Sequence, residues 1–188
     1  LHSMGRNQHG QLGNGVTKNR NTPKKILDNI MSIAAGGNSS YAIDTTGNLY
    51  GWGNNDYGQL GIGNRKAQKS PRLIMKNVDE VWTNGTSTFI KKMDGKLYGC
   101  GQNDSGQLGI GNTTSTIIKP KLIGSYNTVA LGRTHSLLFD NDGNLYGCGN
   151  NKYQQLGLSE KVTYLRPIKI KDQVYQIACG DYHSLYIN

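Results

Sequence analysis

The tetrapeptide Gly-Gln-Leu-Gly stands at 10–13, 58–61 and 106–109, and a worn copy, Gln-Gln-Leu-Gly, stands at 154–157. Successive copies start 48 residues apart, and a fixed period of that length is the mark of a repeat architecture. A chain built this way folds as like units stacked on one another. Its apolar surface is buried between units, so no unit is stable alone.

The match extends well past the tetrapeptide. NLYGWGNNDYGQLGIGN (48–64), KLYGCGQNDSGQLGIGN (96–112) and NLYGCGNNKYQQLGLSE (144–160) agree, and LHSMGRNQHGQLGNG (1–15) is the same segment with its opening eroded. A second block precedes each: SIAAGGNSSYAIDTTG (32–47), EVWTNGTSTFIKKMDG (80–95), TVALGRTHSLLFDNDG (128–143) and QIACGDYHSLYIN (176–188). The third copy reads as losing one residue before Gly132 and regaining one in the turn Asp-Asn-Asp-Gly. The chain divides into a single repeat region, 1–188, with units of approximately 1–48, 49–96, 97–144 and 145–188.

Four short runs recur in each unit, illustrated by PRLIMK (71–76), EVWTNG (80–85), STFIKK (87–92) and KLYGCG (96–101). Each has the length of a strand and is bounded by Gly, Asn, Asp or Pro. The link Met-Asp-Gly-Lys is hairpin chemistry, because Gly after Asp supplies the positive φ of tight turns. No segment carries an apolar stripe at helical spacing. The fold expected is therefore all-β, a propeller arc whose blades are four antiparallel strands, with 26 Gly in 188 residues serving many tight turns. In that setting Gly58, Gly61, Gly106 and Gly109 take turn angles other residues resist, and Leu12, Leu60, Leu108 and Leu156 fill the space between blades. Gln11, Gln59, Gln107 and Gln155 satisfy backbone groups of the turn.

Cys100 and Cys148 are repeat equivalents in a slot filled elsewhere by Trp52 and Met4, which reads as a small buried apolar position. With Cys179 the three thiols make no even disulfide framework and no metal-ligand spacing, and free thiols point to a reducing, intracellular setting. Four glycosylation sequons start at Asn38, Asn84, Asn103 and Asn112; two of them fall beside inner-strand glycines, where a glycan does not fit. No apolar run approaches the ~18 residues of a membrane span. No nucleophile elbow, Walker loop or zinc-protease motif is present, the pair Asp79–Glu80 and the turn acids Asp140 and Asp142 read as solvated positions, and nothing calls for a cofactor.

The segment YGWGNNDYGQLGIGN, with the block ACGDYHSL (178–185) before such a segment, resembles the repeat of the regulator of chromosome condensation family. The resemblance covers the whole chain. It implies a propeller, usually of seven blades, so four units imply further blades from a longer chain or a second copy. Leu1 aligns with Leu49 at the start of a strand and Asn188 stops before the turn leading into one, so the two ends complement one another within one blade.

Members of the family include a guanine-nucleotide exchange factor that also docks on chromatin, scaffolding parts of ubiquitin ligases, and bacterial β-lactamase inhibitors. The exchange factor uses a carboxylate and a histidine at the ends of the Gly-x-x-His strands. The histidine slot here reads as Ser40, Thr88, His135 and His183, with Asp181 the acid nearest to it. The acid of that pattern is missing from the slot itself, which favours His135 and His183 as hydrogen-bonding residues of the fold near the axis; with Asp181 they are also the candidate contacts on the axial face.

The formal charge is +9, and 15 of the 21 basic residues fall in the segments after each tetrapeptide. They are Lys18, Arg20, Lys24, Lys25, Arg65, Lys66, Lys69, Arg72, Lys76, Lys119, Lys121, Lys161, Arg166, Lys169 and Lys171, against one acid, Glu160. Rotation-related repeats bring them into a basic band along one side of the arc, attractive to an acidic protein and, less favoured for lack of a reading helix or stacking platform, to nucleic acid. Of the aromatics interleaved with them, Tyr57 and Tyr153 are repeat equivalents expected to pack locally. A non-enzymatic protein-interaction module is the expected function.

Overall fold

The computed structural model describes all residues, 1–188, as sixteen strands with no helix. Three complete sheets hold four antiparallel strands each. The first contains β3 (Ile30–Gly36), β4 (Ser39–Asp44), β5 (Leu49–Gly53) and β6 (Gln68–Met75); the second contains β7 (Val78–Thr83), β8 (Ser87–Lys92), β9 (Lys96–Gln102) and β10 (Thr116–Ser125). The third contains β11 (Thr128–Leu131), β12 (His135–Phe139), β13 (Leu145–Asn150) and β14 (Thr163–Lys171). A two-stranded sheet flanks the arc at either end, β1 (His2–Gly5) with β2 (Arg20–Lys25), and β15 (Gln176–Cys179) with β16 (Ser184–Ile187). The arc is open: β1–β2 and β15–β16 are separate sheets, so the two ends do not close a blade within this chain.

Each sheet is a blade in chain order, with the first strand innermost. The innermost strands β3, β7, β11 and β15 pack one against the next, while the fourth strands β6, β10 and β14 form the outer edges. This corrects the grouping read from the sequence, in which 71–76 opened the unit ending at 101. Met75 and Leu73 pair with Leu49 and Tyr50, so this run is the outer strand of the preceding blade. The sheets run out of phase with the 48-residue units, each taking two strands from one unit and two from the next.

Pairing also removes the supposed gap in the third copy. Ser39 pairs with Gly53, Ser87 with Gly101 and His135 with Gly149, three equivalent pairs at a constant spacing of 48. The histidine slot therefore holds Ser39, Ser87, His135 and His183. Ser40 and Thr88 are equivalent to Ser136 instead, opposite Trp52, Cys100 and Cys148.

The core lies between blades. Tyr41, Ile43, Leu60, Phe89, Ile90, Leu97, Leu108 and Leu138 are fully buried in one cluster that runs through all three blades, and Leu137, Leu145, Leu156 and Val174 form a second beside the last hairpin. Strands β4, β8 and β12 are buried on both faces because each face is covered by a neighbouring blade. Alternation is therefore weak in them, as for any strand buried on both sides.

Candidate functional site

The repeated tetrapeptide is the joint between blades. Asn7, Asn55, Asn103 and Asn151, all completely buried, accept the backbone N–H of Leu12, Leu60, Leu108 and Leu156 through Oδ1 at 2.9–3.0 Å. Their side-chain amides donate across the loop, as from Asn55 to the Asn64 carbonyl at 2.8 Å and from Asn151 to the Leu158 carbonyl at 3.0 Å. The sequence reading passed over these asparagines, although they too recur every 48 residues. The glutamines do what was expected of them. Oε1 of Gln11, Gln59, Gln107 and Gln155 accepts a turn N–H two residues earlier, at 2.9–3.0 Å. The four leucines are 0–5% exposed, which places them inside the inter-blade core.

The first three turns then grip the following blade through the glutamine carbonyl. Gln11 O accepts from Trp52 Nε1 at 2.9 Å, Gln59 O from Cys100 Sγ at 3.4 Å and Gln107 O from Cys148 Sγ at 3.4 Å. The slot shared by Trp and Cys is thus a donor position as well as an apolar one, which refines the reading of a small hydrophobe. Burial pushes the Cys100 and Cys148 thiols up to about 12, and Cys179 to about 11, so all three remain protonated donors rather than nucleophiles. The last glycine of the turn completes the joint. A Cβ on Gly61 would sit 3.0–3.1 Å from Pro120 and Cys100, and one on Gly109 3.0 Å from Pro167 and Cys148. Gly58 and Gly106 press in the same way on Ile118 and Leu165 of the next outer strand.

The candidate axial contacts separate. His135 is completely buried, its Nε2 2.9 Å from Ser184 Oγ, with Nδ1 unpartnered. Desolvation, and then the proximity of His183, lowers its pKa to about 4, so the ring is neutral and serves as a rivet between β12 and β16. It offers no surface to a partner, so of the two readings of His135 the geometry supports the hydrogen-bonding residue of the fold and not the axial contact. His183 and Asp181 are exposed in the turn joining β15 and β16, where the Asp181 carbonyl accepts the Arg133 backbone N–H at 3.0 Å. Tyr182 lies in the same turn, edge-on to Tyr153 with centroids 6.0 Å apart, and Lys152 sits 5.8 Å above the Tyr153 ring. Tyr57 is 39% and Tyr153 65% exposed, so neither packs away as expected. Because β-turns 36–39, 84–87, 132–135 and 180–183 and the tetrapeptide loops all lie at the same strand ends, one face of the arc displays this aromatic and charged group.

Most of the basic residues lie away from that face; Lys18, Arg65, Lys66 and Lys161 are in the same loops as the tetrapeptides. Most sit on β2, β6, β10 and β14, the outer strands, and all but half-buried Arg20 are exposed. They therefore form a perimeter rather than a band on one side. Lys25 pairs with Asp28 at 2.6 Å and Lys169 with Asp172 at 2.5 Å. All four prolines of the chain, Pro23, Pro71, Pro120 and Pro167, fall on the same four strands, a recurrence the sequence reading also missed. Lysine and proline on an outermost strand are what keeps an unpaired edge from pairing with another chain.

Asp79 and Glu80 are not free acids. Lys91, its side chain 9% exposed, reaches Asp79 at 3.0 Å and Glu80 at 3.3 Å and donates to the Asn127 carbonyl at 3.1 Å, clamping the second blade to the third.

Comparison with known proteins agrees with this architecture. Superposed on human WBSCR16 the chain gives a TM-score of 0.83 at 22% identity, covering 99% of itself and 54% of that protein. On Prp20p from Saccharomyces cerevisiae the TM-score is 0.84 at 22% identity, with 98% of this chain and 50% of that one covered. The chain thus spans about half the length of these solved relatives. A 56-residue stretch is 43% identical to the ultraviolet-B receptor UVR8 of Arabidopsis thaliana, 28% of this chain and 13% of that protein. The RCC1-like domain matches residues 1–188, and the chain belongs to that family.

Proposed function

We propose that the chain is a non-enzymatic protein-interaction module, a rigid set of blades that presents the turn face to a protein partner. One observation carries this reading. The polar side chains that recur along the chain are spent on the scaffold, the Asn and Gln on building the loops and Trp52, Cys100 and Cys148 on joining blades, whereas the exposed residues of the turn face differ from blade to blade. A surface of that kind recognises through its irregular members, here Tyr57, Lys152, Tyr153, Asp181, Tyr182 and His183, held by a stiff scaffold.

The perimeter of Lys and Arg adds an attraction to acidic protein surfaces that salt screens. A pull-down on the immobilised chain at low salt and at about 0.5 M salt separates the two contributions. Partners held by the aromatic face survive the salt wash, and the variant Tyr153→Ala/Tyr182→Ala loses them. Retention unchanged in that variant at both salts overturns the assignment to this face.

A second reading has one observation in its favour. The turn 180–183 brings a carboxylate, Asp181, and an exposed histidine, His183, to one place, the pair of residue types that the family's exchange factor uses, and the structure of Prp20p was described with binding to Gsp1p and histones. Accelerated nucleotide release from a small GTPase, lost in Asp181→Ala, would replace the scaffold reading with this one.

A further inference from the structure

The joint between the second and third blades departs from its neighbours on the face opposite the turn face, where the turns 44–49, 92–96 and 139–145 lie. Between the first and second blades the Val78 N–H donates to the Gly47 carbonyl at 2.9 Å, and between the third blade and β15 the Val174 N–H donates to the Gly143 carbonyl at 2.9 Å. The repeat puts the Tyr126 N–H and the Gly95 carbonyl in those roles, and neither bonds to any group of the chain. A Cβ on Gly47 would meet Met93 and the Val78 carbonyl, and one on Gly143 would meet Gln173 and the Val174 carbonyl, whereas Gly95 has nothing within 4 Å.

The cause lies in the strand before. Asn29, Asn77 and Gln173 turn the chain into the next inner strand with φ of 52, 57 and 56°, but Ser125, at the same repeat position, is not left-handed. β10 runs on instead. Leu97 pairs with Gly124, one repeat position later than the Met75 and Lys171 that pair with Leu49 and Leu145, and Ser125 then pairs with Lys96. The displaced link leaves a cleft of about 320 Å³, lined among others by Asp79, Lys91, Gly95, Ser125, Tyr126 and Asn141. A different fastening holds this joint. Lys91 stands where the repeat has Ile43 and Phe139, and its ammonium donates to the Asn127 carbonyl at 3.1 Å.

We propose that this cleft binds an uncharged, extended peptide segment of a protein partner, one peptide unit of which accepts from the Tyr126 N–H and donates to the Gly95 carbonyl. A trans amide carries its donor and acceptor on opposite sides, so a single unit satisfies both. The charges around the cleft cancel. Asp79 and Glu80 share Lys91 at 3.0 and 3.3 Å, Asp94 pairs with Lys96 at 3.3 Å, and Lys92, which also lines the cleft, balances the carboxylate left over. Nothing there selects an ion, and the selecting chemistry is the open backbone pair, as where a peptide is recognised through its main chain. The volume is at the lower end of ligand sites, roughly 300–1,000 Å³, which suits a short stretch of chain.

Titration of the nitrogen-15-labelled protein with acetyl-Ala-Ala-Ala-methylamide to about 20 mM tests this by amide chemical shifts, because a contact of two hydrogen bonds belongs in the millimolar range. A saturable shift is expected at Tyr126 and at Lys96, whose nitrogen belongs to the same peptide unit as the Gly95 carbonyl. The amides of Val78 and Val174, already bonded, are expected to stay in place. The lactic-acid ester analogue of the same length keeps the carbonyls but has no N–H for Gly95, and is expected to bind about fivefold or more weakly. Tyr126→Pro removes the protein's donor, fits the extended Ser125 before it, and is expected to abolish the shift at Lys96. Should that variant not fold, the ester comparison decides alone. A Tyr126 amide that does not move, an ester that binds as well as the peptide, or equal shifts at Val78 and Val174 would overturn the proposal.

Discussion

Leu60 and Leu108 are buried completely although they sit in turns, a place where side chains are ordinarily wet. They are held there by the buried asparagine five residues earlier, which takes the leucine N–H and leaves the side chain no route to solvent. Truncation of either to alanine is expected to cost about 2–5 kcal/mol in urea unfolding, through a cavity lined by two blades that cannot collapse separately. Losses under about half a kcal/mol at both sites would mean that the joint is not packed. His135 yields a pH signature. Unfolded, the ring titrates near its ordinary 6.5; folded, it stays neutral down to about 4. Between those values the unfolded chain binds more protons, so the stability this residue contributes is present above pH 6.5 and is lost as pH falls towards 4. The full effect is about 3 kcal/mol, and His135→Gln is expected to flatten the slope of unfolding free energy in that window.

At the scale of the element, the outer strands carry a conflict. They expose Leu73, Leu122 and Ile168 along an unpaired edge, which invites pairing with another chain. Pro71, Pro120 and Pro167 interrupt that edge, and the lysines and arginines beside them repel a second copy of it. Replacing Lys119 and Lys121 on β10 with Arg166 and Lys169 on β14 by threonine is therefore expected to leave the urea midpoint almost unchanged while raising light scattering on standing. A soluble fraction equal to the wild type's would return the basic perimeter to partner binding alone. The hairpin turns are stiff by contrast: the Asn48 backbone amide, then its side chain, holds the Asp44 carboxyl well below the usual carboxylate range.

Across the whole molecule, burial falls from the middle of the arc to its ends. β8 is buried at five of its six positions, and β16 at none of its four. In a fold where each blade borrows its neighbour's surface, local stability follows the number of covered faces. Hydrogen exchange at dilution is expected to protect β8, β9 and β12 most and β1–β2 and β15–β16 least. Uniform protection along the chain would show that the arc unfolds as one cooperative unit.

The sequence by itself determined the period, the all-β character, the burial of the four tetrapeptide leucines and the role of the glutamine side chains, because each is written in local residue types repeated in register. Three things were decided only by tertiary structure: which four strands form a blade, that the Trp or Cys slot donates to the blade before it, and that the basic residues ring the outside. All three depend on contacts between residues some 40 or more positions apart, or on which strand is outermost. A strand covered on both faces shows no alternation by which a reader could orient it, and the same run 71–76 satisfies its hydrogen bonds with either neighbour until the packing of whole blades selects one.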